Sequence, residues 1–534
     1  VTACGGGNGG GGTSEIEEVD TSKTQLYVGV YDGALGTEYA QTYANEFEQL
    51  YADVSFEEGK KGVQVYIDVD KEGFMGGTLI ATMKHTRQDV FYTCESVYRS
   101  CVEAGILGDI SEVVTAKNYD ANGEWVGLNK GTTTLVSRMD QHYVDSLNMG
   151  TESAPKYYAL PNWACPTGFF YDVDLFEEYG YFDGGNGPDG KAGTYDDGLP
   201  ATWEDFKELL DQMVMDRITP MTWAGFSLFY RNQLLNSVWA GYEGRNDFML
   251  NSSFSGVDNT LGEITPANAY LLQKQDGKLA ALTAAYDCVS NPLYYSPNAF
   301  NNSQSHLVAQ EEYVFSKETD ARIAMLVEAS WWENEAKSVF NELGGDNAYG
   351  KREFSLMPIP RFTGTAGVPN QENTKNTFYL SGSMSLVFTN AYSPKKALAD
   401  EFVGFCHSKS AMRTFTRLTG NPRAFEYDLT EEDLAAMTPM GRNVWEIFND
   451  PNTEIVFHDY ASEMRTYSTT FTTSFEWGTS IPEISATAPL YDPLLNFYSY
   501  AKTYNLTPAK YFAGMEKECS ASLWEEYYNR FLEN

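Results

Sequence analysis

Residues 321–337 read ARIAMLVEASWWENEAK, and the rest of the chain is most simply understood as scaffold around them. Ala324, Met325, Leu326 and Val327 form a short unbroken apolar run, the pattern of a strand buried on both faces. Glu333, Asn334, Glu335, Ala336 and Lys337 then suit the opening of a helix. Trp331 and Trp332 fall at the junction, where open α/β sheets present ligand-binding groups beyond the ends of their strands. An indole there offers a flat apolar face and one N–H donor, which suits a ring apolar on its faces and hydroxylated at its rim. Ordinary core packing explains an isolated Trp pair equally well, so the remainder of the chain must decide. Adjacent side chains diverge, so at least one of the two is expected to face a cleft while the other anchors the turn.

Outward from this stretch, a length of 534 residues favours two lobes or more over a single compact domain. A composition of 42% hydrophobic, 14% aromatic and 21% charged residues belongs to a folded globular chain. Charge narrows the partners. With 37 Lys+Arg against 74 Asp+Glu the formal net charge is -37, which repels nucleic acid and anionic membrane surfaces, and no basic patch interleaved with aromatics is present. An uncharged ligand is bound without working against that field. No apolar run approaches the ~20 residues that span a bilayer.

Residues 1–23 read as a flexible tether. They carry Cys4, a glycine run from Gly5 to Gly12 broken by Asn8, and the acidic Glu15, Glu17, Glu18 and Asp20. From Gln25 the patterning becomes strong. Residues 25–30 (QLYVGV), 63–69 (VQVYIDV) and 89–92 (DVFY) read as strands, with a helix between the first two whose Tyr39, Tyr43, Phe47 and Leu50 share a face and whose N-cap is Thr37. This β-α-β order implies a parallel sheet with loops at strand ends, and those loops hold Tyr31, Asp32, Glu95 and Ser96. Residues 157–171 (YYALPNWACPTGFFY) read as a crossing between lobes. Thr202 to Asp205 and Thr430 to Asp433 read as capping boxes, and Ser393-Pro394 as N-cap and first residue of a helix. Residues 219–256 hold the densest aromatic region, and some of its rings must be core.

Catalytic signatures are weak. The chain has no phosphate-binding glycine motif, dinucleotide fingerprint, HExxH or GxSxG elbow, and no two of its five histidines stand at metal-ligand spacing. Paired carboxylates for glycoside hydrolysis are always available among 74 acidic residues, so their abundance carries no information. One loop offers hard oxygen ligands: Asp183, Asn186 and Asp189 stand at positions 1, 4 and 7 between glycine turns. It is read either as a structural calcium site or as a plain acidic surface loop, and no other cofactor is called for.

The tryptophans are more telling. Trp163, Trp223, Trp239, Trp331, Trp332 and Trp477 sit in or beside segments rich in Asn, Asp, Glu and Gly, a mixture suited to stacking plus hydroxyl recognition. Together with Cys4 in VTACG, FFYDVDLFEEYG, TWEDFKELL, AMLVEASWW and SLVFTNAYSPKKALADEFVGFC, in that order, the chain from about Gln25 resembles the extracellular solute-binding proteins of ABC importers, carbohydrate-binding type, the group that includes the maltose-binding protein. AMLVEASWW resembles that family's Ala-Met-x-x-x-Gly-x-Trp element, with Ala329-Ser330 where a small residue and glycine are usual.

The resemblance implies a periplasmic-binding-protein-like α/β fold of two discontinuous lobes that close on ligand by a hinge. The first would comprise 24–164 and 385–428, the second 165–384 and 429–534 with insertions that either lengthen or shield the cleft. It implies Trp331, Trp332, Trp163, Glu95, Asp32, Tyr31 and Trp477 as ligand residues, with Trp223 and Trp239 as further candidates. It also implies lipidation at Cys4, which places the protein on the outer face of a bacterial membrane. The expected activity is capture of an oligosaccharide and its delivery to permease subunits by a monomeric, non-enzymatic receptor. A secreted glycoside-active enzyme and a surface glycan-adhesion protein are the rival readings.

Overall fold

Alternating apolar residues set the first strand, β1 (Thr24–Val30), whose Leu26, Val28 and Val30 are fully enclosed. The computed structural model describes residues 19–71, 73, 76–93, 98–254, 258–365, 367–380, 385–457, 476–484 and 490–533. Cys4 and Glu95 therefore lie outside the described residues. Helix α1 (Glu38–Leu50) follows β1 and covers the sheet with Tyr39, Tyr43 and Phe47, while Leu50 at its end faces solvent. Thr37 occupies its N-cap position but makes no side-chain capping bond. β2 (Val63–Val69) and β3 (Val90–Tyr92) pair in parallel on either side of β1, Val30 standing opposite both Val69 and Tyr92. The chain returns to this sheet through β4 (Leu160–Pro161) and, much later, β10 (Leu386–Thr389), giving the five-stranded order β2-β1-β3-β10-β4.

Between those two returns the chain builds a second sheet. β5 (Thr167–Asp172) lies inside it, antiparallel to β7 (Ile323–Ala329) on one side and β8 (Phe354–Met357) on the other, and β6 (Thr219–Thr222) extends it parallel to β7. All seven residues of β7 are buried, as the unbroken apolar run predicts, and the run encloses Glu328 as well. A parallel pair, β9 (Asn376–Leu380) with β11 (Thr453–Phe457), lies alongside. The molecule is thus two α/β lobes built on separate open sheets, the fold class expected.

Helices close both lobes. The capping boxes at Thr202–Asp205, opening α2 (Trp203–Met215), and at Thr430–Asp433 form as expected. α3 (Leu228–Ser253) packs along α4 (Asp276–Ser290) and is broken at Gly244, where φ of 74° and ψ of 173° interrupt the ladder. α5 (His306–Phe315) precedes β7, and α6 (Lys396–Phe405) and α7 (Lys409–Thr419) pack on the first lobe. α6 starts two residues later than the Ser393-Pro394 expectation, because the Ser393 hydroxyl donates to Asp89 Oδ1 at 2.6 Å and accepts from Lys395 N rather than capping a helix. Among the described residues no helix is long and apolar enough to cross a membrane.

One fully buried cation ties the segments that pass between the lobes. Arg423 donates to the carbonyls of Asn162 (2.7 Å), Pro161 and Cys406 (2.8 Å), and to His407 Nε2 (2.7 Å). Three carbonyls and an imidazole rather than carboxylates satisfy this guanidinium, which disperses its charge over four neighbouring atoms. Burial and the neighbouring Arg423 charge hold His407 well below the ordinary histidine pKa, so it is neutral and accepts through Nε2.

Candidate functional site

The end of β7 and the loop after β1 meet across the seam between the lobes. Ser330 N donates to Pro166 O of the crossing at 2.9 Å, and the Ser330 hydroxyl and carbonyl both bond the Asn421 side chain just beyond α7. With its backbone held from both lobes, the chain turns into a short helix, Trp332–Glu335. Asn334 on that turn reaches over to the first lobe and donates from Nδ2 to Ala34 O at 2.9 Å.

Around this bridge lies an open pocket of about 210 Å³. One wall is the stretch from Gly33 to Gly36 with Glu38 and Tyr39, the other is Asn334, Glu335 and Lys337, and Leu418 and Thr419 close one end. Tyr31 shapes the first wall. Its ring lies where a side chain on Gly33 would have to go, a Cβ there falling 2.1 Å from a ring carbon. The second wall is shaped by a polar chain: Glu335 sits 3.3 Å from His306 Nε2 and accepts from Gln310 Nε2 at 2.8 Å, and His306 stacks on Tyr230 with ring centroids 5.2 Å apart.

Trp331 lies just behind this wall, 8% exposed, and donates from Nε1 to Glu328 Oε1 at 3.0 Å. Burial, reinforced by the nearby Glu335 charge, pushes the Glu328 carboxyl well above the ordinary carboxylate range. Trp163, 9% exposed, belongs to the same core as Trp331 at the seam, and its indole N–H has no hydrogen-bond partner among the described residues. Backbone groups, carboxylates, an amide, a threonine and a lysine around aromatic surface make a lining that can bond hydroxyls at several angles while excluding water from a ring.

The structure brings together some of the expected residues and removes others. Tyr31 and Asp32 lie at the start of the first wall, Tyr31 partly buried and Asp32 exposed, and Trp163 and Trp331 lie at the seam. Four tryptophans expected among the ligand loops are instead core residues. Trp332 is wholly enclosed by Phe170, Tyr313, Phe340 and Phe354. Trp223 packs on Tyr295 and Phe300, Trp477 bonds Asn236 at 3.0 Å, and Trp239 packs against Trp477, Phe248 and the ammonium of Lys278. The physical reason is size: an indole buries more apolar area than any other side chain, and these sit where helices cross the second sheet.

The Asp183 loop is a set of turns closed by its own side chains. Asp183 accepts from Gly185 N, the Asn186 amide donates to Gly190 O, and Asp189 accepts from Lys191 N while its own N–H goes to Asp196 Oδ2. Among the described residues no group of three or more His, Cys, Asp or Glu is placed to hold a metal ion. Asn334, Glu335, Glu328, His306 and Thr419 were not foreseen. Glu328 carried a signal, being the one acidic residue inside an apolar run, whereas Thr419 and His306 come to the site from distant segments.

The sequence pattern of the bacterial extracellular solute-binding protein family matches residues 33–413, and the chain belongs to that family. No curated protein matches by sequence. Among solved structures, the chain is similar to apo RafE from Streptococcus pneumoniae, with 15% identity, a TM-score of 0.54 and coverage of 96% of this chain and 99% of that one. It is also similar to a chitin oligosaccharide binding protein (14%, 0.55, 94% and 99%). A third is a protein solved in work on xylan utilization by the thermophilic bacterium Caldanaerobius polysaccharolyticus (12%, 0.56, 92% and 99%). At these identities the likeness establishes the fold.

Proposed function

We propose that the protein is the receptor of an ABC importer, taking an oligosaccharide into the seam between its lobes and presenting it to permease subunits. The observation that carries this reading is the seam pocket itself, which Asn334, Glu335, Lys337, Thr419 and residues 33–36 line with groups able to bond hydroxyls. The printed names of the similar structures, a chitin oligosaccharide binding protein and a protein of xylan utilization, point to the same ligand class. Trp331 supplies apolar area, Trp163 an indole donor, and Tyr31 and Asp32 the rim. The lobes divide as 24–164 with 385–428 against 165–384 with 429–534, and their closure desolvates the ligand and forms the surface the permease reads. Cys4 carries the lipid that retains the receptor at the membrane, as a monomer.

Calorimetric titration with chito-, xylo- and malto-oligosaccharides, with the sugars recovered and sized afterwards, tests the reading. Saturable binding with intact sugar is expected, and Trp331→Ala is expected to weaken it about tenfold, the equivalent of ~1.4 kcal/mol. Cleaved sugar would replace the receptor with a glycoside-active enzyme.

A further inference from the structure

The seam pocket, at about 210 Å³, is smaller than the ~300–1,000 Å³ typical of sites that enclose a drug-sized ligand, so it holds one end or one short stretch of a sugar chain. What lies beyond it is aromatic and exposed. From Glu335 the contacts run to His306, then to Tyr230, whose ring meets Phe229 edge-on at 5.3 Å. Phe229 and Phe226 flank the start of α3, and Phe226 is 59% exposed. The loop that carries Phe226 is held by Arg231, which donates to Gly225 O and pairs in the interior with Asp492 at 2.6 Å. That pair brings in Tyr491 and the helix α8 (Pro493–Tyr504), whose Leu495 and Tyr498 turn outward on the same face. Tyr498, 51% exposed, stacks flat on Phe300 at 4.1 Å, and Phe300 in turn packs on the buried Trp223.

A soluble chain seldom leaves contiguous aromatic faces in water without a use for them. These are not loose: the strip is braced from below by a buried ion pair and a core tryptophan, and side-chain contacts through Tyr230 and His306 link it to Glu335 of the pocket. Its far half, residues 491–504, falls outside the segment 33–413 that the family pattern matches. Exposed amides and a hydroxyl at Asn301, Asn302 and Ser303, next to Phe300 in the chain, supply polar partners. On a molecule of net charge -37, flat rings with neutral hydrogen-bonding neighbours fit an uncharged polyhydroxylated chain.

Resting on the oligosaccharide reading above, we propose that Phe226, Phe229, Tyr491 and Tyr498 form a second binding tract outside the cleft, on which the protruding units of a long oligosaccharide lie. The receptor then selects for chain length, because each unit beyond the pocket gains stacking area that a short ligand cannot reach.

The test compares the wild type with Phe226→Ala and Tyr498→Ala by calorimetry against ladders of chito-, xylo- and malto-oligosaccharides, from dimers to hexamers. Both side chains are exposed, so folding is expected to survive, and the thermal midpoint of each variant checks that it does. In the series that binds, wild-type affinity rises with length, and each variant loses about tenfold on the longest members with no change on the shortest. Equal loss at every length, or none, overturns the tract while leaving the cleft as a sugar site. Absence of wild-type binding to every ladder overturns the oligosaccharide reading and the tract with it. Unchanged affinities coupled to lost uptake in cells carrying the permease would reassign the strip to permease docking.

Discussion

The two walls of the seam pocket are built on opposite principles. On the first-lobe side, residues 31–36 form a loop whose course is set by backbone: Tyr31 N is held by Tyr92 O, Gly36 takes a φ of 65°, and Asp32 faces solvent. On the second-lobe side, residues 328–337 are set by buried side chains: Glu328 under Trp331, Trp332 in its aromatic box, and Glu333 accepting from the Thr438 hydroxyl at 2.6 Å. A wall made of backbone and glycine costs little to reshape, whereas a wall of interlocked rings and buried carboxyls moves only as a block. In this pairing the first lobe adapts and the second serves as the fixed template.

The sharpest way to break that contrast is to hollow out the rigid side. Trp332→Ala should cost about 3–5 kcal/mol of unfolding free energy by denaturant titration, the usual result of emptying a buried aromatic site. A loss under ~1 kcal/mol would mean the block is not interlocked. Next in size is a pH effect from Glu333, whose carboxyl burial raises from 4.5 to about 7. Below pH ~4.5 both folded and unfolded chains hold this proton, so it adds no pH dependence there. Between pH ~4.5 and about 7 the unfolded chain has lost a proton that the folded chain still holds, so stability falls across that window, by on the order of 3 kcal/mol at most, and levels off above it. Glu333→Gln should flatten that decline, and an unaltered slope would show that another carboxyl carries it. The smallest effect concerns the joint between the walls. Asn334→Ala removes the bond to Ala34 O, worth about 0.5–1.5 kcal/mol, and should favour the open arrangement of the lobes, which small-angle scattering reads as a larger radius of gyration without ligand.

The same contrast explains what could be read from the sequence. Backbone periodicity is a local property, so β1, β2, β3 and β7 and the two capping boxes were legible to within a residue or two. The fate of an individual tryptophan is decided by what packs on it from elsewhere in the chain. Trp331 and Trp332 are neighbours in sequence, yet one reaches the seam and the other sits among Phe170, Tyr313, Phe340 and Phe354, drawn from four separate segments. Loop composition suggested that Trp223, Trp239 and Trp477 were ligand residues, but the rings left exposed at the surface are phenylalanine and tyrosine. His306 is similar: nothing near it in sequence announces Glu335 or Tyr230, which reach it only through the fold.

The distribution of indoles also gives the molecule a built-in optical gauge. Nine of its ten tryptophans are buried and Trp445 is partly buried, so their emission should lie well to the blue of an indole in water. Trp203, Trp223, Trp239, Trp477 and Trp524 pack in cores separate from the one that holds Trp163 and Trp331, and form a steady background. Trp331 and Trp163 sit where the lobes meet, and the Glu328 carboxyl is hydrogen-bonded to Trp331 at a distance suited to quenching its excited state. Opening and closing should therefore be readable as a small change in brightness on top of a constant blue signal, with no label attached.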